Sequence, residues 1–345
     1  MDRYLSLILL LAVSQVHAAD DELGMAAQLG PKSWASCARF LSQPQAKAYE
    51  LSQLRSPGMP LSPFAGPYQM RPKPTAAIPG TTHAFNSETF NENAEPGQQG
   101  TQIDALGHFA ARGQPWDGKS PVDGEKITYY GGLPQSEVKP TPDSPLLKLG
   151  LEKAPPLVTS AVLLDAKTLV GGGQPMKPGA LVTAKDIQAM LKAQGLEKRG
   201  IRAGDIVYVH TGWGERWQDP DRDKTYYAMA PGLSYDAARY LAGRKIVAVG
   251  LDAPFVDTVP EGMLAGKAAP AAGTPPGMPF AVHHHMLTQA GMHLIENAKL
   301  DEMARDKVWL SCTIVLPLRE KGAAGSAIRP VAIGNPVTTG VAGKP

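Results

Sequence analysis

Hydrophobic and polar positions alternate along this chain in two rhythms. The run Ala161-Val162-Leu163-Leu164 is short, apolar and bounded by turn residues, which predicts a buried strand. Ile206-Val207-Tyr208-Val209, entered through the turn Gly204-Asp205, and Ile246-Val247-Ala248-Val249 repeat the pattern. Between them the period changes to that of a helix. Thr183 can cap a helix reaching Gln194: Asp186 stands three positions on, and Ile187, Met190 and Leu191 recur at helical spacing. Tyr235 to Ala242 reads as a second helix. Ser33 to Leu54 reads as a short helix followed by the strand Ala48 to Leu51, and Val308 to Leu316 as a closing strand. This alternation of helix and strand predicts an α/β domain. Seven prolines from Pro57 to Pro79 predict an irregular surface stretch, and the Ala-, Gly- and Pro-rich segment from Gly262 to Pro279 a flexible loop or lid.

Composition narrows the class. Of 345 residues, 43% are hydrophobic and 19% charged, which describes a globular chain and excludes a disordered or collagen-like one. Lys+Arg 34 against Asp+Glu 32 leaves a net charge of +2 with no basic run, so nucleic acid is not an expected partner. The first nineteen residues read as a leader rather than as fold. Arg3 gives a basic start, Leu5 to Val13 an apolar stretch too short to span a bilayer, and Val16-His17-Ala18 a cleavage site near Ala18/Ala19. No later segment is long and apolar enough to span. The expectation is an exported protein, periplasmic or secreted and free of the membrane, with residues 20–345 forming one domain. An oxidising compartment permits a disulfide between Cys37 and Cys312, the only cysteines; two buried thiols are the alternative, and the sequence leaves both open.

Two stretches carry candidate chemistry. In Gln98-Gln99-Gly100-Thr101-Gln102-Ile103-Asp104, an extended backbone puts Gln98, Gln102 and Asp104 on one face and turns Ile103 toward the core. His108 follows Gly107, where a loop can swing its imidazole over that face. A solvated polar strand face explains the same pattern. The second stretch runs from His283-His284-His285 to Glu296-Asn297. On one unbroken helix His284 and Glu296 point about 120° apart. Gly291, following Met286, Leu287 and Ala290, instead predicts a helix stop and then a strand to Ile295, so that His284 and Glu296 can converge. The other reading is a solvated histidine cluster. Asp104, His108, His284 and Glu296 together make a donor set suited to a divalent cation such as Zn²⁺ or Mn²⁺, which lowers the pKa of bound water and polarises a carbonyl.

Both stretches resemble the cyclase family that contains bacterial kynurenine formamidase and isatin hydrolase. That family's pattern is His-x-Gly-Thr-His-x-Asp-x-x-x-His; the segment Gln98 to His108 follows its order and spacing, with Gln98 and Gln102 at the first two histidine positions. Gly204 to Val207 with Thr211-Gly212-Trp213, Val249 to Asp252 with Asp257, His284 to Asn297, and Pro317-Leu318 to Ala332 continue the likeness, which spans about residues 48–333. The resemblance implies a single α/β domain of the swivelling β/β/α (cyclase-like) type, assembled as a homodimer or homotetramer. It implies metal ligation by Asp104, His284 and Glu296, with His108 as general acid/base. Gln98 and Gln102 offer neutral carbonyl oxygens in place of imidazoles, which implies weaker zinc binding, with either the loss of one metal position or a preference for Mn²⁺ or Mg²⁺ over Zn²⁺.

The implied reaction is hydrolysis of an amide-like carbonyl in a small molecule: a cyclic amide or imide, an N-formyl amine or a lactone. Trp213 and His210 are candidate substrate-binding residues, with Trp217 a weaker one. No role is assigned to His83, and Glu88 and Glu92 read as solvated acids. Gly171-Gly172-Gly173 lacks the Lys-Ser/Thr of a phosphate loop, and no Gly-x-Ser-x-Gly elbow is present. Two alternatives stand beside hydrolysis: a catalytically inactive small-ligand-binding protein of the same fold, and a metal-dependent lyase or dehydratase in which His108 abstracts a proton next to a carbonyl.

Overall fold

The computed structural model describes residues 22–64, 66–91 and 99–337. The leader with its cleavage site, and Gln98, lie outside the described residues. One nine-stranded sheet organises the rest. Its strands are β1 (Lys47–Glu50), β2 (Gln102–Asp104), β3 (Leu157–Asp165), β4 (Ile206–His210), β5 (Ala248–Leu251), β6 (His293–Glu296), β7 (Leu310–Val315), β8 (Gly325–Ala327) and β9 (Val331–Gly334). The spatial order is β1-β9-β7-β3-β4-β5-β6-β2-β8. The four central strands, β3 to β6, are parallel, and the strands on both flanks are antiparallel to their neighbours.

The central strands are apolar on both faces, as a covered parallel sheet requires. Val162, Leu164, Val207, Val209, Val249 and Leu294 turn to one side. There they meet Ile187, Met190 and Leu191 of α2 (Ala184–Ala193) and Ala237, Ala238 and Leu241 of α3 (Tyr235–Gly243), α1 being the helix Pro31–Leu41. The alternate residues Ala161, Leu163, Ile206, Tyr208 and Ile295 face the other side, against Tyr49, Leu51 and Met303. The predicted cap of α2 is present: Thr183 and Asp186 bond reciprocally across the first turn. The third apolar run is displaced from its strand. Ile246 and Val247 are buried ahead of β5, which begins at Ala248 and runs on to Leu251.

The proline-rich stretch is not wholly irregular. Gln69–Pro72 pairs with Glu88–Asn91, and Ala76–Ala77 with Ala84–Phe85, as antiparallel ribbons lying largely in solvent. No period-two pattern announces them because neither face is buried. The cysteine alternatives resolve in favour of the bond. Cys37 of α1 and Cys312 of β7 form a disulfide with Cα atoms 4.4 Å apart, beside Phe40, which fastens α1 to the sheet.

Candidate metal centre

The site is built where β6 and β2 lie side by side, with Glu296 opposite Gln102 and Leu294 opposite Asp104. Asn297 holds the two motifs together. It takes a left-handed backbone (φ 56°), donates from Nδ2 to the Gly100 carbonyl at 2.8 Å, and offers its own carbonyl to the Thr101 hydroxyl at 2.7 Å. Gly100 turns the chain into β2 at φ +96°, a conformation that side chains disfavour. Ile103 faces the core, while Gln102 and Asp104 face the helical layer.

From that layer comes α4 (Ala281–His283), continued as a π-helix from His284 to Ala290 and ended by Gly291 at φ 65°. Asp257 binds its first turn: the backbone N–H groups of Val282 and His283 donate to its carboxylate at 2.7 and 3.0 Å. The same carboxylate stands 2.6 Å from His283 Nδ1. The other nitrogen of that ring, Nε2, then faces Glu296 Oε1 at 3.3 Å and Asp104 Oδ2 at 3.5 Å. Donor atoms of Asp104, His108 and His283 all lie within 4.8 Å of one another. Gln102 Nε2 donates to Glu296 Oε2 at 3.2 Å and the Val256 backbone N–H to Oε1 at 3.0 Å, so the two together set the carboxylate's orientation.

The structure thus brings Asp104, His108, Glu296 and Gln102 together, but with His283 rather than His284. Each helical residue turns about 100° from the last. Once Asp257 fixes His283 inward, His284 points elsewhere; its Nε2 is 3.5 Å from Gln289, and it borders a separate cavity. Asp257 carried no role in the sequence reading, and only its position after β5 hinted at one. Trp213 is corrected too. It is fully buried with its indole N–H on the Tyr226 carbonyl at 3.1 Å, in the core rather than at the site. His210 likewise turns away: its Nδ1 is 3.1 Å from Asp165 Oδ1, on a different cavity of about 780 Å³. Trp217 donates to the Leu54 carbonyl. The aromatic lining comes instead from Phe64, Phe109, Tyr227, Phe255 and Phe280 around a pocket of about 180 Å³. Apart from Phe109, which follows His108, these residues sit in loops scattered over two hundred positions, and no sequence pattern links them.

Electrostatics favour a cation here. Burial, and then the charge of Glu296, push the Asp104 carboxyl well above its usual range. Burial opposes charge on His283, but hydrogen bonds and charges from Asp257 and Glu296 outweigh it and hold that imidazole well above an ordinary histidine. Burial and the neighbouring His283 charge take His108 down to about 3, leaving it neutral. Three acidic side chains, Asp104, Asp257 and Glu296, thus crowd around one imidazole in a buried site. Asp104 is fully buried, and among the described residues neither of its carboxylate oxygens has a hydrogen-bond partner. A divalent ion supplies the missing partner and the missing charge, so these residues fit one; His283, aligned through Nδ1 by Asp257, is arranged as metal-binding histidines commonly are.

Comparison with known proteins agrees with this architecture. Residues 49–258 match the model of the Cyclase family. The chain is 33% identical over 169 residues to a kynurenine formamidase of Bacillus cereus and 27% identical over 169 residues to one of Bacillus thuringiensis. Each alignment covers 49% of this chain and 65% of the relative, so the chain spans somewhat less than two thirds of the curated relatives it matches. Among solved structures, one described as a novel cyclase superposes with TM-score 0.71 at 22% identity, covering 91% of this chain and 96% of the other. Isatin hydrolase A from Ralstonia solanacearum superposes with TM-score 0.54 at 19% identity, covering 86% and 95%. The fold is therefore the mixed α/β single-domain fold of these neighbours. With more than half its length matched by the family model, the chain belongs to the Cyclase family.

Proposed function

We propose that the protein is a metal-dependent hydrolase of a small aromatic molecule, cleaving an amide-type C–N bond in a cyclic amide, imide or N-formyl amine. The observation that carries this reading is the fully buried Asp104 carboxylate, without a hydrogen bond among the described residues and 3.5 Å from an imidazole that Asp257 has aligned. Asp104, His283 and Glu296 hold the ion, Zn²⁺ or Mn²⁺, and Gln102 fixes the Glu296 carboxylate. When bound, such an ion lowers the pKa of water and polarises a carbonyl.

The chain's own residues do the rest. Neutral His108 takes a proton from the attacking water and returns it to the departing nitrogen. Its ring lies 6.2 Å from that of His283, centre to centre, and lines the same pocket. Phe109 packs 5.0 Å from His283, and Phe255 and Phe280 pack 5.9 Å from each other, so a flat ring meets aromatic walls while water is kept from the reacting carbon. Export is part of the proposal, supported by the leader pattern and by the Cys37–Cys312 bond. So is assembly as a homodimer or homotetramer, supported by the exposed Met70, Phe85 and Phe90 on the ribbons.

The test is elemental analysis of untagged protein together with turnover of formanilide and isatin-like lactams after Mn²⁺ or Zn²⁺ loading. Bound metal with turnover that chelation abolishes and His108→Ala removes is expected. Metal-free protein that stays inactive after loading refutes the proposal and favours a ligand-binding role; a product lighter by one water identifies a lyase.

A further inference from the structure

Aromatic rings form most of the pocket at the metal centre, and Gln102 belongs to its polar wall beside Glu296, His283 and His108. Gln102 lies on β2 directly opposite Glu296 of β6, so the two side chains leave the same face of the sheet. The amide nitrogen of Gln102 donates to Glu296 Oε2 at 3.2 Å. An ionised carboxylate only accepts hydrogen bonds, so the NH₂ half of the planar carboxamide must be the half that faces it. That fixes which end of the group is oxygen.

The other half, Oε1, is therefore turned away from Glu296. Among the described residues it accepts no hydrogen bond, and unlike the Asp104 oxygens it is not walled off. Gln102 as a whole is 6% exposed, and the pocket is where that surface lies. The space is only about 180 Å³, below the usual span of small-molecule sites, so one small ring system fills it and meets this wall. An occupant that covers the oxygen without offering a donor leaves it desolvated and unpaired, which costs more than the bond itself gains. A site built this way rejects analogues that lack the donor.

We propose that Gln102 is a specificity-determining residue, whose Oε1 accepts the N–H of the scissile amide. This rests on the hydrolase reading and narrows it to lactams, imides and formamides that carry hydrogen on the nitrogen. Their N-alkylated and N–H-free counterparts are disfavoured.

The test is calorimetric titration of the metal-loaded protein with three stable probes: 2-oxindole, N-methyl-2-oxindole, and 2-indanone, in which CH₂ replaces the N–H. Wild type is expected to bind 2-oxindole at least about tenfold more tightly than either of the others. Gln102→Met, similar in length but without the acceptor, should shrink that preference at least about fivefold. Because the readout is a ratio, a uniform loss of affinity in the variant cancels. Gln102→Glu, which shares a proton with Glu296 and still presents a carbonyl oxygen, should restore part of the preference. Equal affinity for 2-oxindole and 2-indanone in wild type overturns the proposal without reference to any variant. A preference that survives intact in Gln102→Met overturns it as well, because the ion then reads the lactam through its carbonyl. Formanilide turnover, measured on the same wild-type preparation, tests the hydrolase reading separately. Absent turnover with a Gln102-dependent preference sinks that reading and leaves the N–H acceptor; turnover without the preference does the reverse.

Discussion

Asp257 Oδ2 and His283 Nδ1 are 2.6 Å apart, and this contact decides which face of the imidazole meets Asp104 and Glu296. The carboxylate also accepts both backbone N–H groups at the start of α4, so one side chain sets the helix register and the ring orientation together. Asp257→Asn should weaken metal binding by about 10–100-fold while the protein stays folded. Competition titration against a chromophoric chelator measures it; an unchanged affinity would contradict the assigned role.

The two adjacent histidines give a sharper contrast. His283→Ala removes a ligand between two buried carboxylates and should lower metal affinity by more than about 100-fold. His284→Ala, which alters only the separate cavity that this residue borders, should leave metal affinity within about threefold of wild type. Metal per chain after exhaustive dialysis separates the two, and loss of metal only in the His284 variant would reverse the assignment.

Much of this architecture is legible in the residues. The Thr183–Asp186 box and Gly291 mark helix ends because their signals are local: a hydroxyl three residues from an acid, and a glycine where the backbone turns left-handed. Asp104 and Glu296 are legible for a similar reason, each closing a short strand next to a turn. Which histidine of three points inward is not local. It depends on Asp257, twenty-six positions upstream, and on a π-helical stretch that departs from the 3.6-residue period on which pattern reading relies. Trp213 misleads because proximity to a strand end does not say which side of the sheet a ring enters. Its indole N–H satisfies a carbonyl in the core, and the pocket is lined instead from distant loops.

A second histidine–carboxylate pair, partly buried, predicts a pH dependence. Burial opposes protonation of His210, but the hydrogen bond to Asp165 and the nearby Asp252 raise it above an ordinary histidine. Asp165 is itself held below the usual carboxylate range; burial works against this, and the bonds to His210 and Thr168 prevail. A raised histidine stabilises the fold fully below its unfolded pKa, near 6.5, and loses that contribution as pH rises through its folded value. A lowered aspartate stabilises above its unfolded pKa, near 3.9, and loses that contribution as pH falls through its folded value. The stability gap between wild type and His210→Gln should therefore peak at about pH 5–6 and narrow on both sides. Urea midpoints across pH 3–9 check it; a gap that grows steadily toward pH 9 would be the wrong sign.

The disulfide can be tested by removal. Cys37 and Cys312 are 275 positions apart, so the bond closes most of the chain into one loop. Cys37→Ser should cost ~2–4 kcal/mol and lower the melting temperature by several degrees. Dithiothreitol should shift wild type to the same midpoint and leave the variant unmoved. A wild-type melt indifferent to reductant would count against a structural bond.

The strand that carries Asp104 has one more consequence. Among the described residues its strand partners are β6 and β8, and neither is complete until synthesis has passed residues 296 and 327. A nascent chain therefore displays its key acid long before the neighbours that give it purpose. Cation capture would then report that residues 293–327 have been made and have folded against a strand made about two hundred positions earlier, and a product truncated before residue 293 would lack both Glu296 and the partner strands.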